Sequence, residues 1–308
     1  MKSWSGKRYH TLNHYLRNRF GEKVFKVSLD AGFTCPHRSP EGTGGCIYCS
    51  PRGSGDCAGD SLLPVTEQFQ QVRKQMQQKW PGVKKYIAYF QAYTATLAPA
   101  EDLEKLYRTA LAQPGVVGLS LATRPDCLPA QVVDLLKQLN RETMLWVELG
   151  LQSAHDSTLQ KINRGHDYQC FVQAVKKLHR AGINVCCHII LGLPGENREM
   201  MLATGRAVAA LGIEGIKIHA LHVLRDTRLA NMWQQGETEL LTREQYAELT
   251  VDVLEVMPPD VVIHRVTGDA PRDILLAPDW IKNKWQVLQA IDKMLEARNS
   301  WQGRCSIP

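Results

Sequence analysis

From Val24 onward the chain alternates short β-rich runs with amphipathic stretches, and no other feature limits its possible fold so tightly. The runs fall at residues 23–29, 85–92, 116–121, 143–150, 184–191 and 215–221. Helical periodicity places helices over 66–80, 100–112, 130–140, 168–181 and 198–211, with Gly182 and Gly212 at stops where left-handed caps are expected. Each spacer is long enough for a right-handed crossover between parallel strands. Six such units are too few to close an eight-unit barrel. The predicted fold is therefore α/β, a partial (β/α)6 TIM-like barrel, with its site in the loops at the C-terminal ends of the strands. Beyond residue 222 the alternation weakens into a helix over 242–256, a short run at 261–266 and a last helix over 280–298. This divides the chain into an N-terminal helical arm (1–22), the barrel (23–222) and a short C-terminal α/β extension packing on it (223–308).

The arm carries the charge asymmetry. Of a formal net charge of +6, Lys2, Lys7, Arg8, Arg17, Arg19, Lys23 and Lys26 precede the first site cysteine, against Glu22 and Asp30. With Trp4, Tyr9, Tyr15 and Phe20 interleaved, two readings stand: a surface that meets phosphates and stacks on bases, or a solvated amphipathic lid. Nine cysteines without framework spacing, and no apolar leader in the first residues, point to a reducing cytoplasm. No apolar run approaches the ~20 residues of a spanning helix, so a soluble protein is expected.

Cys35, Cys46 and Cys49 follow the first strand with the spacing C-x10-C-x2-C, and Gly42, Gly44 and Gly45 lie in the long gap where a loop must wrap closely. A closed structural metal site takes four protein ligands, whereas three thiolates leave a position open for chemistry. The competing reading is a zinc knuckle completed by Cys57 or His37. Cys186 and Cys187, on opposite faces of a strand, read as small core residues, and Cys127, Cys170 and Cys305 are isolated.

These cysteines, with their Cys46-Ile47-Tyr48-Cys49 ending, resemble those of the radical S-adenosylmethionine superfamily, and within it the branch that includes the Elongator catalytic-subunit family. The likeness extends through Phe90-Gln91-Ala92-Tyr93-Thr94, Thr123-Arg124-Pro125-Asp126, Glu148-Leu149-Gly150-Leu151-Gln152-Ser153, Asn163-Arg164-Gly165-His166 and the string from His188 to Glu196. The YhcC/YtqA group of bacterial proteins is resembled more closely still. The resemblance implies a 4Fe-4S cluster on Cys35, Cys46 and Cys49, and S-adenosylmethionine bound at its open iron. It also implies reductive cleavage to a 5′-deoxyadenosyl radical, with a reductant such as flavodoxin or ferredoxin. Two departures stand out: the usual first gap is three residues, and the usual Gly-Gly-Glu string is replaced by Gln91-Ala92-Tyr93-Thr94.

On that basis Gln91 and Thr94 are candidates for the methionine amino group, Glu148 or Gln152 for the ribose hydroxyls, and Arg164 for the methionine carboxylate. Glu148, Gly150 and Gln152 share one strand face, where a buried acid and amide cost free energy unless they bind something. The Gly192-Leu193-Pro194-Gly195 string has two readings, a backbone that passes close to adenine, with Gly192 and Pro194 as cofactor contacts, or a plain turn. Arg124, His188, Lys217 and His219 are candidates for the substrate, Arg124 for an anionic group on it. The basic arm and the Elongator likeness incline the substrate toward RNA, in tRNA modification. A small molecule or cofactor is the alternative substrate, and a non-catalytic metal-containing RNA-binding module the alternative to an enzyme.

Overall fold

Among the residues described by the structure, a computed structural model covering 3–39, 43–53, 55–56 and 58–306, seven parallel strands curl into an open half-barrel. Lys2 of the arm, Gly42 of the cysteine loop and Cys57, the alternative zinc ligand, lie outside the described residues. In chain order the elements begin α1 (Leu12–Phe20), β1 (Val24–Leu29), α2 (Val65–Lys79), β2 (Lys85–Phe90), α3 (Ala100–Leu111), β3 (Val116–Thr123) and α4 (Ala130–Glu142). They continue β4 (Met144–Gln152), α5 (Asp156–Lys161), α6 (Tyr168–Arg180), β5 (Asn184–Leu191), α7 (Arg198–Ala209), β6 (Gly215–Ala220) and β7 (Val223–Leu224). The chain ends with α8 (Arg228–Gln234), α9 (Arg243–Val256), β8 (Val262–Arg265), β9 (Leu275–Ala277) and α10 (Lys284–Ala297).

The sheet order is β1-β2-β3-β4-β5-β6-β8, so the partial barrel expected from the alternation is present, with one strand more. That seventh strand comes from the tail: Gly215 and Ile216 of β6 pair with Val262 and Ile263 of β8 in parallel. The remaining strands of the tail, β7 and β9, form a small antiparallel pair.

Period-two alternation sorts the barrel residues. Val27, Phe90, Leu121, Val147 and Ile189 face outward and are buried with Phe69, Leu103, Tyr107, Leu136 and Phe171 of the helices in the main core. Their neighbours Lys26, Tyr89, Ser120, Glu148, His188 and Lys217 point into the lumen, where they contact one another. Side-chain caps by Asp167, Asn197 and Thr242 start α6, α7 and α9. Gly182 and Gly212 do take the left-handed conformation after α6 and α7.

The arm is not a lid. Thr11 bridges to Ile263 on the free edge of β8, and α1 then crosses toward β1. Leu16 of α1 packs with Val24, Ile87, Met144, Trp146, Cys186 and Val262, which closes the end of the barrel where the strands begin. Trp4 and Tyr9 are buried, and Tyr15 meets Trp146 edge-on. The hydrophobic effect therefore claims all four aromatic side chains read as a stacking surface, Tyr15 and Phe20 packing half-buried on this cluster.

Candidate active site

The cysteine loop between β1 and α2 crosses the opposite end of the barrel, where strands end. Cys35, Cys46 and Cys49 all line one cavity of about 240 Å³ that continues down into the lumen. Ile47, between two of the cysteines, anchors the loop: its side chain is buried among Leu159, Ile162, Leu193 and Leu229. Its N–H donates to Ile162 O at 3.0 Å, and its carbonyl accepts from Leu229 N–H at 2.9 Å. Arg38 donates to Cys49 O at 3.0 Å and to Ser50 O at 2.7 Å. The segment after α5 acts as a buckle, with Asn163 Nδ2 donating to Gly45 O at 2.7 Å. Gly165 has φ +77°, and a Cβ there would lie 2.6 Å from His37 Nδ1. His37, offered by the sequence as a zinc ligand, thus packs against Gly165 and does not line the cavity. Among the described residues no fourth thiol lines it either.

Arg164 sits in the same buckle, is buried, and directs Nη1 at Cys46 Sγ (3.6 Å) and Nη2 at Gly150 O (2.6 Å). A Cβ on Gly150 would fall 2.6 Å from Gln152 Nε2 and 2.8 Å from Arg164 Nη2, so glycine makes room for both heads. The hydrogen bond from Cys49 holds the Cys46 thiol well below its ordinary value; burial opposes this and the Arg164 charge reinforces it. Cys49 is pushed up by the same bond. Arg164 Nε and Thr94 Oγ1 are buried without a hydrogen-bond partner. Unpaired buried polar atoms cost about 1–3 kcal/mol each, a cost that a ligand would remove. Three thiols, one acceptor-seeking N–H and one hydroxyl at a single rim fit a cluster with three protein ligands and the polar ends of its cofactor.

Deeper in the lumen Glu148 is fully buried and surrounded by donors. Lys26 and Ser120 reach Oε1, the latter at 2.6 Å, while Lys217 and His188 reach Oε2, the latter at 2.8 Å. Burial would raise the carboxyl, yet Lys217 and Lys26, with the His188 hydrogen bond, hold it well below its usual range. Lys217 also donates to Tyr89 OH at 2.9 Å, and burial lowers its ammonium to about 8. His188 is lowered to about 4 by burial and the Lys217 charge. It is neutral at pH 7, donates from Nε2 to Glu148 and presents Nδ1 as an acceptor. Glu148, Cys186 and His188 have ligand atoms within 4.8 Å of one another, but two ammonium groups already fill the carboxylate that a metal would need.

The cavity thus brings together Cys35, Cys46, Cys49, Gln91, Thr94, Arg124, Glu148, Gln152, Arg164, His188, Lys217 and His219. For three sets of these candidates the structure defines surroundings that the sequence did not. Glu148 already accepts from four protein donors and anchors the floor of the cavity. Arg124 commits its fork to Asp126 at 2.9 Å and its Nη1 to Arg164 O at 3.0 Å, so it stands behind Arg164 instead of before a substrate anion. Gly192 and Pro194 do not line the cavity. Gly192 turns β5 toward α7 at φ +86°, and Leu193 buries beneath the cysteine loop, so the turn supports that loop. Sequence reasoning missed Lys26, Tyr89 and Arg265, although the alternation that picked out Glu148 puts Lys26 and Tyr89 on the inner face. Arg265 carried no such signal, because β8 belonged to no expected strand of the barrel.

The model of the radical SAM superfamily matches residues 34–208, and that of the radical SAM C-terminal domain matches residues 213–297. The chain is 52% identical over 301 residues to YtqA of Bacillus subtilis (strain 168), covering 97% of this chain and 92% of that protein. A tRNA uridine(34) acetyltransferase of Methanocaldococcus infernus is 27% identical over 179 residues, 57% of this chain and 33% of that one. Among solved structures, the archaeal Elp3 of M. infernus superposes with a TM-score of 0.72 at 20% identity, covering 91% of this chain and 64% of that one. That superposition speaks for the fold.

Proposed function

The chain belongs to the radical SAM superfamily, and from that premise we propose that it is a cytoplasmic enzyme that uses S-adenosylmethionine to abstract hydrogen from a nucleoside of tRNA. The observation that carries the enzymatic reading is the convergence on one rim of three cysteine thiols with two unpartnered buried polar atoms, Arg164 Nε and Thr94 Oγ1. When bound, a 4Fe-4S cluster on Cys35, Cys46 and Cys49 together with S-adenosylmethionine would supply a 5′-deoxyadenosyl radical, electrons coming from a donor such as flavodoxin or ferredoxin.

The residues then have distinct tasks. Arg164 Nε takes the methionine carboxylate, while Thr94 and Gln91 take its amine. Gln152, at the bulge that ends β4, reaches the ribose. Lys217, His188 and His219 orient the polar part of the substrate over the floor. The surrounding barrel wall excludes water from a reactive radical. Three features support tRNA as the macromolecule. Relatives named tRNA uridine(34) acetyltransferase match more than half of this chain. Besides Arg124, which is paired with Asp126, the cavity lining carries four cationic side chains (Arg38, Arg164, Lys217, Arg265) against three carboxylates (Asp56, Glu148, Asp269). The third is the rim's exposed Arg225 and Arg272, which suit a phosphate backbone.

Two measurements test this in sequence. Anaerobically reconstituted protein with dithionite should contain about four irons per chain and form 5′-deoxyadenosine; zinc without cleavage would support a non-catalytic module instead. Nucleoside profiles of total tRNA from cells with and without the protein should then differ at one modified nucleoside. Intact cleavage with identical profiles would move the substrate to the small-molecule alternative.

A further inference from the structure

Arg164 is fixed more firmly than a ligand clamp requires. Nη2 is tied to Gly150 O at 2.6 Å, its N–H donates to Leu159 O at 2.8 Å, and its carbonyl accepts from Arg124 Nη1 at 3.0 Å. Arg124 is in turn neutralised by Asp126, so the two guanidinium groups do not drive each other away. What this scaffold achieves is to hold Nη1 3.6 Å from Cys46 Sγ, with Arg164 only 6% exposed. Among the described residues no carboxylate forms an ion pair with Arg164; the group that Nη1 faces is the Cys46 sulfur.

We propose that Arg164 sets the reduction potential of the cluster through Cys46, as a positioning residue independent of its contact with S-adenosylmethionine. The inference rests on the three-cysteine cluster proposed above. Reduction adds one electron to a buried centre. A fixed cation in a low-dielectric site, donating N–H to a ligand sulfur, favours the more negative state and so raises the potential. Arginine suits this where lysine does not, because its planar fork can hold Gly150 O and Cys46 Sγ together and still leave Nε for a ligand. The absence of a Cβ at Gly150 is what allows the fork to lie there.

The test is a dithionite-poised redox titration, followed by electron paramagnetic resonance, of anaerobically reconstituted protein without S-adenosylmethionine. Iron content and thermal midpoint serve as controls. Arg164→Met should lower the ratio of reduced to oxidised cluster at a fixed potential about tenfold, equivalent to about 59 mV for a one-electron couple. Arg164→Lys should fall between it and the parent. If Arg164→Met does not fold or load iron, Arg164→Lys and Arg164→Gln carry the test, the first keeping charge and the second only a donor. An unchanged potential in iron-loaded variants overturns the inference while leaving the cluster reading intact. Failure of the parent protein to assemble a cluster overturns the cluster reading itself. A role confined to the methionine carboxylate would weaken S-adenosylmethionine binding and leave this potential unmoved.

Discussion

Lys217 of β6 reaches Glu148 of β4 across the lumen, two places along the sheet, and Lys26 meets the other oxygen of the same carboxylate from β1. One acid thus ties together the first, the fourth and the sixth strands to be made. Glu148→Gln would leave two ammonium groups buried without a counter-charge, and we expect a loss of about 3–5 kcal/mol in denaturant unfolding. Lys217→Met combined with Glu148→Gln should cost less than the sum of the two single changes. A strictly additive double-mutant cycle would show that the pair is not coupled.

Cys46→Ala, Cys35→Ala and Cys49→Ala should each abolish iron loading and cleavage of S-adenosylmethionine. Cys127→Ala and Cys57→Ala should retain both. Retained turnover in Cys46→Ala, read as 5′-deoxyadenosine by chromatography, would refute the ligand assignment.

Gly150→Ala should weaken S-adenosylmethionine binding at least tenfold, about 1.4 kcal/mol, because the new methyl group displaces the Gln152 and Arg164 heads. Equilibrium dialysis on iron-loaded protein reads the effect. Unchanged affinity would mean that neither head touches the cofactor.

Acid should destabilise the fold through its buried histidines. Burial, and after it the Lys217 charge, lowers His188 to about 4, and His219 and His264 are held well below their ordinary value mainly by burial. Unfolded, each histidine takes up a proton near 6.5, so between about 6.5 and 4 the unfolded chain binds more protons and stability falls as pH drops. The urea midpoint at pH 5 should lie below that at pH 7.5. The slope should flatten in His188→Asn, and an unaltered slope in that variant would remove His188 from the account.

Leu16→Ala should cost about 2–5 kcal/mol, since it opens the plug at the base of the barrel. Arg17→Ala and Arg19→Ala, both exposed, should change stability by less than about 0.5 kcal/mol. If tRNA approaches the rim where the strands end, Arg225→Ala with Arg272→Ala should reduce the salt dependence of tRNA binding, whereas Arg17→Ala with Arg19→Ala should not. The opposite pattern would return RNA recognition to the arm.

The partial barrel could be read from the sequence because its strands announce themselves locally. Runs such as 184–191 carry their own β-propensity and are bounded by glycine-marked helix ends, so six strands and the intervening helices needed no long-range information. The cysteine spacing was legible for the same reason. The seventh strand was not: Val262–Arg265 is too short to signal a barrel strand, and only its pairing with β6 reveals one. The arm misled, because a basic amphipathic helix looks the same whether its apolar stripe covers a site or plugs the far end of a barrel.

Taken by itself, the sequence determined which residues alternate into the lumen and that three thiols share one loop, because both follow from neighbours along the chain. Only the tertiary structure decided which polar groups satisfy one another. It gave Glu148 to two lysines, Arg124 to Asp126, and Arg164 to Cys46. Those pairings join residues from 2 to 122 positions apart along the chain. No local propensity encodes them, and burial leaves each charge to be met by whatever the fold brings near.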